Sequence, residues 1–180
     1  MKRILVTGSE GYIGQHLCSI LEEDKNVELH KLDSYISEPG RFKYECDLRK
    51  PQEIRSCGVL AYEYDAIIHL AALVQVGQSV KYPTAYYNTN INGTHWLRNI
   101  VPHKKFIFAS TGAAEGMASP YAISKRVAED MLIEQEPECT IFRFYNVIGS
   151  EGFEPTNPDG LFYNLIQAIE TKKQIGRAHV

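Results

Sequence analysis

Tyr121 and Lys125 stand four residues apart, and Thr111 lies ten residues before the tyrosine. On a helix, positions i and i+4 share a face one turn apart. An ammonium held there favours the ionised phenol, because a nearby opposite charge stabilises the charged form of an acid. Free tyrosine titrates near pH ~10, and each unit of downward shift corresponds to ~1.36 kcal/mol. Such a pair makes tyrosine a usable general base near neutral pH. The same spacing also describes a solvated helix face, so the motif needs a context that places both residues in a site.

The N-terminus supplies that context. The run from Arg3 to Thr7 reads as a buried parallel strand. It ends in Gly8-Ser-Glu-Gly11-Tyr12-Ile13-Gly14, and Gln15 to Glu23 follows with helical spacing of Ile13, Leu17, Ile20 and Leu21. Glycines allow a tight turn and close backbone approach to a pyrophosphate, and the helix N-terminus offers N–H groups to its oxygens. The blander alternative is an ordinary glycine-rich turn. A second strand, Val27 to Leu32, ends in Asp33. A carboxylate there can accept from both ribose hydroxyls of an adenosine and repels the extra phosphate of NADP, so the expected cofactor is NAD. A turn aspartate before Ser34 is the alternative.

Further strands are expected at Phe42 to Cys46, Asp65 to Ala72, Lys105 to Ala109 and Thr140 to Tyr145. Helices are expected from Pro51, over Thr84 to Ile100, after Ser119-Pro120 and over Asp159 to Thr171. Strands alternating with helices predict an α/β fold with a doubly wound parallel sheet. His69 lies within an apolar strand and reads as a core histidine. Small residues closing that strand let a cofactor lie against the backbone. Hydroxyls of Ser110 and Thr111, just past a strand's carboxyl end, face the crevice where ligands bind in open sheets.

The 180 residues suffice for one sizeable core and fall short of two full domains. A net charge of −3 without a basic cluster argues against nucleic acid as a partner. No apolar run reaches the length of a membrane span. Cys18, Cys46, Cys57 and Cys139 show neither metal nor disulfide spacing. The composition fits a reduced, cytoplasmic protein with no metal.

Gly8-x-x-Gly11-x-x-Gly14, Asp33, Asp47-Leu48, His69-Leu70-Ala71-Ala72, Thr111, Tyr121-x-x-x-Lys125 and Arg143-Phe-Tyr145-Asn146 occur in one order. Together they resemble the extended short-chain dehydrogenase/reductase superfamily, the NAD-dependent sugar-nucleotide epimerases and dehydratases. Val76-Gly-Gln-Ser-Val80, Tyr86-Tyr87 and Asn90-Ile-Asn-Gly-Thr94 are most similar to the UDP-glucose 4-epimerase branch.

The resemblance implies a Rossmann fold over residues 1–174, with a substrate-binding region starting near residue 150 and largely missing. It implies that Tyr121 abstracts a proton from a sugar hydroxyl. Lys125 binds the nicotinamide ribose and depresses the tyrosine pKa, and Thr111 holds the reacting oxygen. The glycine loop with Tyr12 and Ile13, then Leu70, Ala71 and Ala72, would line NAD. Asp47 and Leu48 would contact adenine, Asn90 would bind the cofactor and help order the site, and Tyr145 would flank the nicotinamide. Asn146 and Asn164 would reach the diphosphate of a nucleotide-sugar substrate, expected to be a UDP-sugar. Relatives also often form a homodimer through the helices carrying Asn90 and Tyr121. The implied activity is that of an isomerase: epimerisation through a transient keto-sugar, with NAD retained. A non-catalytic NAD-binding fragment and a nucleotide-sugar reductase are the alternatives.

Several positions depart from the pattern. Dehydratases carry Asp-Glu where this chain has Gly112-Ala113, so dehydration is disfavoured. Epimerases of UDP-galactose tend to have lysine where Val74 stands. Only four residues separate Gly116 from Tyr121, which predicts a more open crevice. Ile175 to Val180 matches no family feature and can be back-translated into the start of a common sequencing adapter. A non-native tail over 175–180 is therefore expected.

Overall fold

Short apolar runs separated by helical stretches assemble here into one sheet. The computed structural model describes residues 1–147. The strands are β1 (Lys2–Thr7), β2 (Val27–Asp33), β3 (Lys43–Glu45), β4 (Ala66–His69), β5 (Phe106–Thr111) and β6 (Thr140–Phe144). Among the described residues they form a six-stranded sheet in the order β3-β2-β1-β4-β5-β6. Every pairing is parallel, as the doubly wound expectation requires. The chain runs outward from β1 to β3, then returns to β1's other side at β4. Ligand crevices open at the carboxyl ends of the strands at such a reversal. Register sets Thr7 beside Leu32 and His69, and Thr111 beside Phe144, so the site-bearing ends lie along one edge.

The helices are α1 (Tyr12–Glu23), α2 (Pro51–Ser56), α3 (Val76–Lys81), α4 (Pro83–Tyr86), α5 (Thr94–Ile100) and α6 (Pro120–Gln135). Prolines open α2, α4 and α6, where a missing N–H costs nothing. Ser119 caps α6 by accepting from the Ala122 N–H at 3.1 Å, as the Ser-Pro pair predicts. Leu5, Leu32, Ile54, Ile67, Leu97, Phe108 and Leu132 are fully buried and belong to one core cluster. Each such side chain contributes roughly 1.5–3 kcal/mol of burial. Among the described residues no helix is long and apolar enough to cross a membrane. All four cysteines are free.

Three elements differ from expectation. In α1 the residues fully buried are Gly14 and Cys18, while Ile20 is exposed. The apolar spacing marked a helix but not the face that packs. Strand β4 stops at His69, short of Ala72, because after one last bond to β1 the following N–H groups turn to side chains. Leu70 N–H goes to Thr7 O (3.1 Å) and Leu73 N–H goes to Asn90 Oδ1 (2.9 Å). The helix expected over Thr84 to Ile100 is present but contains a π-helical segment, Tyr87–Gly93, between α4 and α5. A 3.6-residue hydrophobic period carries no mark of that register change. The helix expected over 159–171, Asn164 and the 175–180 tail lie outside the described residues.

Two glycines make the first turn possible. Gly8 has φ of 72°, and a Cβ there would stand 2.6 Å from the Ala71 nitrogen. At Gly14 a Cβ would meet the Gly8 carbonyl oxygen at 2.0 Å. That oxygen is fixed backbone, so the side chain can enter only by moving the turn. Gly14→Ala is expected to destabilise the chain by about 3 kcal/mol or more, read by urea denaturation. A loss under about 1 kcal/mol would show that the turn yields freely.

Candidate active site

A cleft of about 840 Å³ runs along the carboxyl edge of the sheet. At one end lies the turn between β1 and α1. Helix α1 begins at Gly11 with no side-chain cap, so its first-turn N–H groups remain available to an anion. Gly8, Gly11, Tyr12, Ile13 and Gly14 all line the cleft there, as expected.

Asp33 ends β2 and also lines the cleft. Its Oδ2 accepts from Glu10 N–H (2.9 Å) and its Oδ1 from Ser34 N–H (2.7 Å). These turn bonds hold the carboxylate at the cleft. Asp47 and Leu48 form the neighbouring wall. Arg49, which the sequence reading passed over, lines the cleft as well and grips Asp47 through Nε (2.9 Å) and Nη2 (2.7 Å). That guanidinium holds the Asp47 carboxyl below its usual range. Its only sequence mark is adjacency to Asp47-Leu48.

Leu70, Ala71, Ala72, Leu73 and Val74 cross the middle of the cleft, and Tyr145 and Asn146 close its far side. Asn90 is not part of the lining. It is buried, with Oδ1 accepting from Leu73 N–H (2.9 Å) and Nδ2 donating to Leu73 O (3.0 Å) and Ser124 Oγ (2.9 Å). These bonds put the Asn90 side chain to work in ordering the backbone around the cleft.

Thr111, Tyr121 and Lys125 meet at the centre. Thr111 ends β5, and its hydroxyl accepts from Ala113 N–H at 3.3 Å. Tyr121 sits in the first turn of α6 with its ring edge-on to that of Tyr86, centroids 6.4 Å apart. Burial pushes the Tyr121 phenol up, and its hydrogen bond with Thr111 draws it partly back. The expected depression by Lys125 is not what governs the phenol here, since burial outweighs every opposing influence. One turn on, Lys125 is 3% exposed, with Nζ 4.0 Å from the centroid of the Phe108 ring. Burial brings its ammonium down to about 7, partly offset by the charge of Glu129.

Glu129 continues the same face of α6 and is itself buried. Burial pushes its carboxyl up, but Arg143 outweighs that through Nη2 (2.6 Å) and Nε (2.9 Å) and leaves it low. Arg143 reaches it from β6 and also touches Glu115 at 3.2 Å. This gives Arg143 of the Arg-Phe-Tyr-Asn run a place behind the lysine that spacing alone did not reveal. His69 is fully buried, and burial lowers it to about 3, in keeping with a core histidine.

Unfolded lysine titrates near 10.5, so between about 7 and 10.5 the unfolded chain holds a proton that the folded chain has released. Raising pH through that window therefore favours the folded state, and the cost of the buried ammonium is fully present below about 7. Lys125→Met removes that cost while keeping the side-chain length. The variant is expected to be more stable by about 1–3 kcal/mol at pH 7 and to lose most of the wild type's pH dependence in that window. Urea titrations at several pH values check it; lower stability in the variant would contradict the buried charge.

The profile of the family described as "NAD dependent epimerase/dehydratase family" matches residues 4–179. A UDP-glucose 4-epimerase from Yersinia enterocolitica is 30% identical over 97% of this chain and 62% of its own length. The crystal structure of UDP-glucose 4-epimerase from Thermotoga maritima with UDP-glucose superposes with a TM-score of 0.78 at 27% identity, covering 96% of this chain and 64% of that one. The UDP-glucose 4-epimerase of Bifidobacterium longum in complex with NAD+ and UDP gives 0.71 at 25% identity, over 86% and 58%. The chain thus spans less than two thirds of the length of these relatives.

Proposed function

The chain belongs to the NAD dependent epimerase/dehydratase family, and from that premise we propose that it carries the cofactor half and the proton-handling residues of a UDP-sugar 4-epimerase. The observation that carries the proposal is the buried Lys125 ammonium, one helical turn from Tyr121 on α6, in a cleft that Thr111 also lines. All three lie in the cleft that begins at an uncapped helix N-terminus.

Those residues fit NAD. The glycine turn and the first turn of α1 would hold its diphosphate, Asp33 its adenosine ribose, and Asp47 with Leu48 the adenine. Lys125 Nζ makes no hydrogen bond among the described residues, and hydroxyls of the nicotinamide ribose would supply its missing partners. When bound, NAD supplies a reversible hydride acceptor for a sugar carbinol carbon.

The chain's own residues then handle the proton and the geometry. Tyr121 Oη takes the proton of the reacting hydroxyl and later returns it. Thr111 Oγ1 holds that oxygen in reach and shares a hydrogen bond with Tyr121. A charged Lys125 offsets the burial that otherwise keeps the phenol neutral. Tyr145 and Asn146 stand at the substrate end. Gly112 and Ala113 leave no carboxylate to eliminate water, and a Cβ at 112 would fall 2.3 Å from the Tyr145 ring. That favours epimerisation over dehydration. A second reading, a module that binds NAD without turnover, draws on the Tyr121 phenol, which burial holds above its ordinary value.

The test is an assay of UDP-galactose with and without added NAD. Interconversion with UDP-glucose and no net NADH is the expected result. Net NADH production would point to an oxidoreductase, and retained NAD binding without turnover to the module. Tyr121→Phe is expected to lower turnover by about 10²-fold or more while NAD stays bound. Full activity in that variant would remove Tyr121 from the mechanism.

A further inference from the structure

His69 is buried beside the cofactor cleft, yet it lines no part of it and titrates far below the working range. Its two ring nitrogens are nevertheless both engaged. Nδ1 lies 2.6 Å from Thr7 Oγ1, and Nε2 lies 2.9 Å from Thr94 Oγ1. The direction of each bond follows from the partners. Thr94 donates its single hydroxyl proton to Asn90 O at 2.7 Å, so it can only accept from the ring. Nε2 therefore carries the hydrogen, and in a neutral imidazole Nδ1 is left as acceptor. Thr7 Oγ1 donates to it, and accepts in turn from Ala71 N–H at 3.4 Å.

These bonds close into a ring. From Thr7 it passes to Ala71, along the backbone to Leu73, then through the Asn90 side chain, Asn90 O and Thr94 to His69 and back to Thr7. The backbone inside the ring is the stretch that crosses the middle of the cleft. One side of the ring is the last residue before the glycine turn. The other is the π-helical segment, which Asn90 joins to α6 through Ser124, whose hydroxyl donates to Tyr121 O at 2.7 Å. Thr7, His69, Asn90, Thr94 and Ser124 are all 1% exposed or less, so water does not compete for these bonds.

We propose that His69 is a positioning residue of the cofactor site: as the Nε2–H tautomer it bridges Thr7 and Thr94 and so fixes the Leu70–Leu73 backbone between the glycine turn and the catalytic helix. An apolar residue of similar size fills the space but leaves Thr7 without its acceptor and Thr94 without its donor, and the cleft wall loses its fixed distance from the turn. The inference rests on the cofactor reading above but not on the sugar or the reaction.

The test measures NAD affinity by calorimetry for the chain and for His69→Leu, Thr94→Val and the double variant, each confirmed folded by circular dichroism. Each single change is expected to weaken binding about tenfold, and the double variant to lose no more than about threefold beyond the weaker single, because both cut one ring. Unchanged affinity in His69→Leu, or losses that multiply in the double variant, would overturn the proposal. His69→Gln, which keeps a donor towards Thr94, is expected to bind within about threefold of wild type; if His69→Leu does not fold, a tenfold loss in Thr94→Val beside this retained affinity supports the proposal, and unchanged affinity in Thr94→Val overturns it. Imidazole 15N shifts give an independent reading: hydrogen on Nε2 with bare Nδ1 supports the ring, and the opposite tautomer sinks it. Since none of these reads turnover, a chain that binds NAD but leaves UDP-galactose unchanged fails only the epimerase reading.

Discussion

An ammonium buried without a hydrogen-bond partner among the described residues is the constraint around which the cleft is organised. Lys125 sits over the Phe108 ring, buried one turn before the equally buried Glu129. A cation in such a place lowers stability unless something compensates for lost hydration. The ring face compensates in part. Glu129 does so in part as well, and Arg143 keeps that carboxylate ionised. The remainder is left open toward the cleft. A group with hydroxyl acceptors arriving there gains what the protein alone does not provide, so the same feature that costs stability creates affinity.

Everything else in the cleft can be read as support for placing ligand atoms against that charge. The β1–α1 turn closes only because Gly8 and Gly14 lack side chains. The backbone after β4 leaves the sheet to line the cleft and hangs between Thr7 and Asn90. Helix α6 carries Tyr121, Lys125 and Glu129 on one face, and Ser119 fixes its start. Rigid elements meeting at a strand-order reversal are a general means of holding groups from distant sequence positions at reacting distance.

Much of this was legible in the sequence, for physical reasons. Alternating β-rich and helical runs pointed to the doubly wound parallel sheet, and a Pro after Ser119 marked the start of α6. Tyr121, Lys125 and Thr111 were found because spacing on a helix and position at a strand end are local properties. What escaped depends on three-dimensional balance. The direction of the Tyr121 shift is a contest between burial and charge, and pair spacing reports only the charge. Asn90 could pass for an exposed polar residue by position alone; its burial and its bonds to Leu73 and Ser124 exist only in the fold. The π-helical segment that aims it has no period of its own. Arg49 and Arg143 gained roles only once the fold brought carboxylates to them.

The buried charge can be observed directly in the free chain. Isotope-edited NMR of lysine side chains, followed through a pH titration, reports the protonation of Lys125 Nζ apart from the surface lysines, with Lys125→Met giving the assignment. The expected result is a midpoint of about 7. A midpoint near the ordinary 10.5 would mean that the ammonium is hydrated, and the organising constraint would be gone.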